Sequence, residues 1–391
     1  MNVTQWDIAV ADLATGTHTV LLRGVRARYA ASGHLLYATA DKTLMAVPFD
    51  ETALALTGDA VALVEGLRVN HAGNMDLAVS ATGTLFYTTG AGVGGGPADL
   101  VWVTRDGTAE EIHPGWTENF NSVNLSPDGT QLAVGISANN EQQIGIKQLD
   151  RGPLPKLTFT GRQNTRPAWM PDGRSVAFVS NRGDNSDLYV RRADGSGTAE
   201  LLRDEEREIW EVTYSSDAEW LVYRVGAEDG ARDLYARRMG ADSAVALMAT
   251  GYDETSPAVS PDGRWLAYAS DESGRPEVHL RPFPNTSDGK WLVSTDGGQE
   301  PVWAHSGREL FYKGSGNLMV VEVLPGATFV TGERGVLFST EGFRSATQHQ
   351  AYDVTPDDQR FVMIRTRGDV EVVELIVVEN FFEELKAKVG N

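Results

Sequence analysis

The sequence predicts an all-β chain, a β-propeller of about eight four-stranded blades with seven as the alternative, ending in a short helix. Three observations carry this expectation. A turn motif followed by a short apolar run recurs as Ser126-Pro127-Asp128-Gly129, Met170-Pro171-Asp172-Gly173 and Ser260-Pro261-Asp262-Gly263. Degenerate copies turn at Gly33, Gly83, Ala218, Gly307 and Asp358. The eight turn residues are separated by 50, 46, 44, 45, 45, 44 and 51 positions, a nearly constant period.

Each part of the unit has a physical reason. Pro presets φ for a turn, Asp bonds nearby backbone N–H groups, and Gly accepts positive φ. The apolar run that follows, such as Val176-Ala177-Phe178-Val179, suits a strand buried on both faces. A polar loop leads to an alternating strand, Asp187-Leu188-Tyr189-Val190-Arg191 or Asp233-Leu234-Tyr235-Ala236-Arg237. A second turn, Ala193-Asp194-Gly195-Ser196-Gly197, precedes a last strand at Ala199-Glu200-Leu201-Leu202. Apolar residues do not recur at helical spacing, and glycines interrupt every ten or so residues.

The ends set the expected domain plan, a single propeller over 1–391. Asp7–Asp12 and Thr19–Leu22 copy the third and fourth strands of a unit, so residues 5–24 are expected to complete the last blade. Val372–Val378 competes as that blade's third strand. Residues 380–389 are expected to form an amphipathic helix capped by Asn380, with Phe381, Leu385 and Val389 on one stripe. Glu384 and Lys388 stand at i, i+4 on it.

Composition removes several functions. With 34 basic and 54 acidic residues the net charge is −20, which disfavours nucleic acid and favours a basic partner if there is one. There is no cysteine, hence no disulfide, thiolate nucleophile or Cys-ligated zinc. The first residues lack a signal peptide's basic and apolar regions, and no apolar stretch is long enough to span a membrane as a helix. The chain as it stands reads as cytoplasmic, or as extracytoplasmic if it belongs to a membrane-spanning protein.

Candidate chemistry is sparse. No Gly-x-Ser-x-Gly elbow is present, and the seven histidines show no metal-binding spacing. The turn aspartates read as turn formers rather than calcium ligands. Gly94-Gly95-Gly96 has no following lysine and reads as a loop. Asp253-Glu254 and Glu205-Glu206 are adjacent carboxylates that read as solvated pairs. No catalytic residue, metal or cofactor is assigned.

Ser260–Ser270 and Asp172–Arg182 resemble the WD40-like repeats of TolB-type propellers. Gly33–Tyr37, Leu44–Asp50, Ser273–Val278, Gly307–Tyr312 and Asn380–Leu385 resemble the propeller region C-terminal to bacterial Ser/Thr protein kinases. No kinase motif is present. The resemblance implies a non-catalytic sensor or interaction module for a protein or peptide.

In a propeller the loops between blades ring the axial channel on one face. The polar and aromatic residues His71, Trp116, Glu118, Arg162, Asn164, Tyr252, Glu254 and Glu300 lie there and are the expected contact set. The alternative is an enzyme of glycan hydrolase or lyase type, with its active site in the same funnel.

Overall fold

The computed structural model describes residues 7–389 apart from 14–15, 40, 68–74, 76, 90–95, 139–140, 151, 184, 227–230, 327, 347 and 368–373. It is all-β with one α-helix, Phe381–Val389, at the C-terminus. Among the described residues no helix is long and apolar enough to cross a membrane.

All eight repeat turns form. Gly33, Gly83, Gly129, Gly173, Ala218, Gly263, Gly307 and Asp358 each adopt positive φ, between 59° and 91°. The turn chemistry is as expected: the Ser126 hydroxyl and the Thr130 N–H both donate to Asp128, at 2.6 and 3.0 Å. Those bonds hold the Asp128 carboxyl below the usual carboxylate range. The aspartates therefore brace the backbone, as a turn-forming residue should.

The chain divides into two compact units, Met1–Gly95 with Gly368–Asn391, and Gly96–Arg367. Within the second unit the described strands form six sheets. The first contains Phe120–Leu125, Gln131–Ala138 and Glu141–Gln148. Four-stranded sheets follow over 164–203, 209–248, 254–292 and 299–339. The sixth joins Tyr352–Val354 and Arg360–Thr366 to Ala98–Thr104, Ala109–Glu111 and Thr117–Glu118.

That sixth sheet corrects the expected plan. Arg360–Thr366 pairs antiparallel with Ala98–Thr104, from Ala98 against Thr366 to Thr104 against Arg360. Residues 7–23 instead form their own hairpin, Asp7–Asp12 on Thr17–Arg23. Six sheets follow one another in residues 96–367. Four strands per sheet holds for four of these six; the first has three and the sixth five. The reason is that similar sequence units pair with whichever edge lies free, which a repeat motif does not specify.

Six apolar clusters fill the gaps between successive sheets. Trp169 and Phe178 meet Ile144 of the first sheet. Tyr223 meets Val179, and Tyr268 meets Leu234. Trp303 meets Trp265, and Phe361 meets Phe311. Ile364 and Leu100 of the sixth sheet meet Phe120 and Leu132 of the first, so the series returns to its start. At the turns, the Gly129 position lies against Pro356, where an added Cβ would come within 3.0 Å of the ring.

The first unit stacks three small sheets. Ile8, Leu21 and Leu22 of the hairpin pack on Leu35, Tyr37 and Val47. Glu374–Val378 pairs with Leu85–Thr89, so the competing expectation for Val372–Val378 also fails. The helix buries Phe381 and Leu385 in the core of this unit. Its Phe382 sits on Gly83, at φ +91°, where a Cβ would approach within 2.9 Å. Lys388 and Glu384 form the expected ion pair at 2.7 Å. Asn380 does not take the extended backbone of an N-cap; its φ is +54°.

The paired register tests directly, because the chain is free of cysteine. Residues directly opposite in an antiparallel pair have Cα atoms ~4.5–5.5 Å apart, within disulfide range. Thr104→Cys with Arg360→Cys should therefore cross-link on mild oxidation, seen as a mobility shift on a non-reducing gel, and raise the unfolding midpoint. Absence of the cross-link in folded protein would refute this closure.

Candidate binding channel

The first strand of each sheet in the second unit lines a common axial cavity of about 360 Å³. At one end are the turn residues Pro127, Pro171, Ser216, Pro261 and His305. Trp169, Tyr214, Trp303, Val212, Pro257 and Pro301 form much of the wall. At the other end lie Arg166, Glu211, His349 and Gln350. The volume is at the lower end of ordinary ligand pockets.

A bulge in several first strands produces the polar end. The register slips between Thr165 and Ala168, between Thr255 and Ala258, and between Gln299 and Val302. Arg166, Ser256 and Glu300 sit in these slips with φ of 53–54°, a left-handed conformation that costs ~1–3 kcal/mol in a non-glycine residue. A bulge re-aims a side chain that regular alternation would point elsewhere.

Inter-sheet hydrogen bonds fix the wall. Asp353 accepts from Asn124 and from the Leu125 N–H at 2.9 and 2.8 Å, while Asn124 accepts from the Trp169 N–H at 2.8 Å. Trp169 and Trp303 each donate their indole N–H to the preceding sheet, to Asn124 O and Ala258 O, both at 3.1 Å. Burial pushes the Asp353 carboxyl above its usual range.

Residues 341–351, with 347 outside the described residues, cross the polar end as a strap. Glu300 is fully buried and accepts from Ser345 Oγ at 2.5 Å, Ala346 N at 2.9 Å and Ala351 N at 2.8 Å. Lys313 Nζ lies 3.0 Å from the same carboxylate and 2.7 Å from Arg344 O. Arg224 donates to Gln348 O at 2.8 Å, and Gln350 donates to Pro257 O and Pro301 O. His349 Nε2 meets Asn121 O at 3.2 Å, which makes Nε2 the protonated nitrogen. Burial, with Arg166 next, pushes His349 down to about 3, so it stays neutral.

Trp210 organises the charges beside the strap. Arg232 lies 4.2 Å above its ring and Arg166 5.4 Å from it. Arg224 pairs with Glu211 at 2.9 Å, and Arg232 with Asp253 at 3.2 Å. Arg166 donates to Trp210 O but has no ion-pair partner among the described residues. Burial, then repulsion from Arg224, lowers Arg166 to about 9.

The expected contact residues take different places. His71 lies outside the described residues. Trp116 packs edge-on against Phe120 at 4.9 Å, at the seam of the sixth and first sheets. Asn164 is fully buried, accepting from Arg182 and donating to Gln143. Glu300 is the strap clamp. Glu254 is buried, accepts from Thr250 at 2.6 Å, and its second oxygen has no hydrogen-bond partner among the described residues. Glu118, Arg162 and Tyr252 are exposed. Arg166, Glu211 and Arg224 were not anticipated. A signal existed for the first two. The column seven residues before the six turn residues from Gly129 to Asp358 reads Ser122, Arg166, Glu211, Ser256, Glu300 and Ala351, polar at all but the last.

Residues 115–226 match the TolB beta propeller domain family. The uncharacterized peptidase YuxL of Bacillus subtilis is 27% identical over 187 residues, 37% of this chain and 28% of YuxL. The uncharacterized protein Atu1656 of Agrobacterium fabrum is 23% identical over 219 residues, 53% of this chain and 74% of that protein. The Tol-Pal system protein TolB of Francisella tularensis is 29% identical over 159 residues, 39% of this chain and 36% of that protein. A solved protein assigned as TolB in Agrobacterium tumefaciens superposes with a TM-score of 0.54 at 17% identity, over 70% of this chain and 99% of that one. The fold is that of a TolB-like β-propeller.

Two substitutions test the polar end. Burial pushes the Glu254 carboxyl from an ordinary 4.5 up to about 7. A raised folded value means the folded state prefers the protonated acid, so stability falls as pH rises from about 4.5 to about 7. Glu254→Gln should match wild type at pH 4 and exceed it at pH 8 by up to roughly 3 kcal/mol, in paired urea denaturations. Glu300→Ala strands the buried Lys313 and frees the strap, and should cost ~3–5 kcal/mol in the same assay.

Proposed function

We propose that this TolB-like propeller is a non-catalytic binding module that receives part of a protein partner in its axial channel, from the face carrying the Pro127, Pro171 and Pro261 turns. The observation that carries the reading is a ligand-sized channel, apolar along its wall and crossed by the strap at its other end. Proline, tryptophan and tyrosine walls suit a peptide, whose backbone and apolar side chains they contact at small entropic cost.

Four acid or imidazole residues, Glu211, His305, His349 and Asp353, do line the cavity, which an enzyme of hydrolase or lyase type would require. Their bonding argues for structure instead. Glu211 is neutralised by Arg224 and accepts the Ser256 N–H at 2.8 Å. Asp353 accepts from two backbone N–H groups and Asn124. No hydrogen bond joins any two of the four among the described residues, so no base is set against a nucleophile or acid.

The name of the Francisella relative places that protein in a Tol-Pal system, in keeping with a protein partner. The expectation of a basic partner concerns the acidic exterior, with its net charge of −20. Association with a kinase rests on sequence motifs alone, and none of the relatives named above carries it. The exposed residues Glu118, Arg162 and Tyr252 remain a proposed second contact surface.

Affinity capture from a lysate of the source cells separates the two faces. Ser216 is an exposed residue at the turn-side mouth, and Ser216→Trp should obstruct it and reduce partner retention ~tenfold or more, a change of ~1.4 kcal/mol. Tyr252→Ala should leave retention within twofold. Equal retention by Ser216→Trp, or loss only in Tyr252→Ala, would move the site away from the channel.

A further inference from the structure

The polar end of the channel carries a specific chemical demand. Among the described residues, Arg166 and Arg232 lie over Trp210 with Arg224 close by, and two carboxylates, Glu211 and Asp253, pair with Arg224 and Arg232. Neither pair includes Arg166, whose guanidinium has no ion-pair partner among the described residues. Among the described residues it donates one hydrogen bond, to Trp210 O, while a guanidinium has five N–H donors in a planar fork. The neighbouring His349 is neutral and offers no countercharge. An anion is the complement that Arg166 lacks among the described residues.

The strap limits what shape can bring that anion. Glu300, Arg224 and Gln350 tie residues 344–351 to three different sheets across the channel end. An internal segment of a chain would have to pass through this closure. A chain terminus would not. Five residues separate Arg166 from Pro171 at the mouth, roughly 16 Å of strand rise, which admits about four or five extended residues. The intervening wall, with Pro257, Val302, Trp169 and Trp303, is apolar.

We propose that the channel binds the free C-terminus of an apolar peptide segment, its terminal carboxylate forming a two-pronged pair with the Arg166 guanidinium. An amino terminus is disfavoured by the Arg166 guanidinium that lines the channel end, and a mid-chain loop by the strap. Arginine rather than lysine suits the role, because its fork matches both carboxylate oxygens. This assignment rests on the channel being the binding site, as proposed above.

The probe is a pair of pentapeptide pools randomised over Ala, Val, Leu, Pro and Phe, one with free C-terminal acids and one with C-terminal amides. Each pool is mixed with the full chain, and bound peptide is separated by size exclusion and quantified by mass spectrometry. Wild type should retain the acids at least tenfold over the amides. Arg166→Gln should abolish that preference, Arg166→Lys should keep part of it, and Ser216→Trp should lose both pools. Equal retention of acids and amides by wild type, blocked by Ser216→Trp, overturns the carboxylate assignment and leaves the channel reading standing. Retention of neither pool, or retention indifferent to Ser216→Trp, overturns the channel reading and this inference with it. The acid-to-amide comparison is made on wild type, so it stands even if an Arg166 variant fails to fold.

Discussion

A β-sheet with apolar residues on both faces must be covered on both sides, and residues 96–367 meet this constraint by returning to their own beginning. Val362 and Ile364 on one side, and Phe361 and Met363 on the other, belong to two different apolar clusters. Each fully buried phenylalanine contributes ~1.5–3 kcal/mol only while both neighbours stay in place. The strand Ala98–Thr104 makes this possible. It supplies the sixth sheet with Val101 and Val103 for one cluster and Ala98 and Leu100 for the other. The closure is thus a packing requirement, and the hydrogen-bonded register between 98–104 and 360–366 is how the chain satisfies it.

The cavity is a by-product of that ring. First strands held apart by six clusters cannot meet at the axis, and the space between them must be filled by side chains, water or a ligand. The bulges at Arg166, Ser256 and Glu300 decide what faces it. A left-handed residue other than glycine is costly, and here it is held by surrounding bonds, as where Ser256 N–H meets Glu211 and Glu300 receives three donors from the strap.

Buried charge at the strap end follows a consistent electrostatic logic. Lys313 and Glu300 are both almost wholly enclosed and survive because each answers the other and the remaining lone pairs meet backbone N–H groups. Arg224 and Glu211 repeat the arrangement. Such pairs add little net stability over apolar packing, but removing one partner strands the other. They fix the position of the strap, and through it the closure of the channel at that end. Arg166 breaks the pattern of pairing, which is why it stands out as a recognition group rather than a brace.

What the sequence determined by itself was the unit. Pro, Asp and Gly at fixed offsets specify a turn through local backbone preferences, and all eight turns form, including those at Ala218 and Asp358 where glycine is absent. The all-β class and the C-terminal helix follow from the same local periodicities. Which strands complete which sheet was decided only in three dimensions. The hairpin at 7–23 and the strand at 98–104 both carry apolar residues suited to a sheet, and only the geometry of closure selects between them. The candidate site divides likewise. Loop position suggested Glu254, Asn164 and Glu300, and the structure buries all three, because a polar residue at a strand's start points inward as readily as outward. Arg166 and Glu211 lay in a repeated column of the sequence, but a side chain's pairing depends on strands some 45 or more residues away, which local chemistry does not encode.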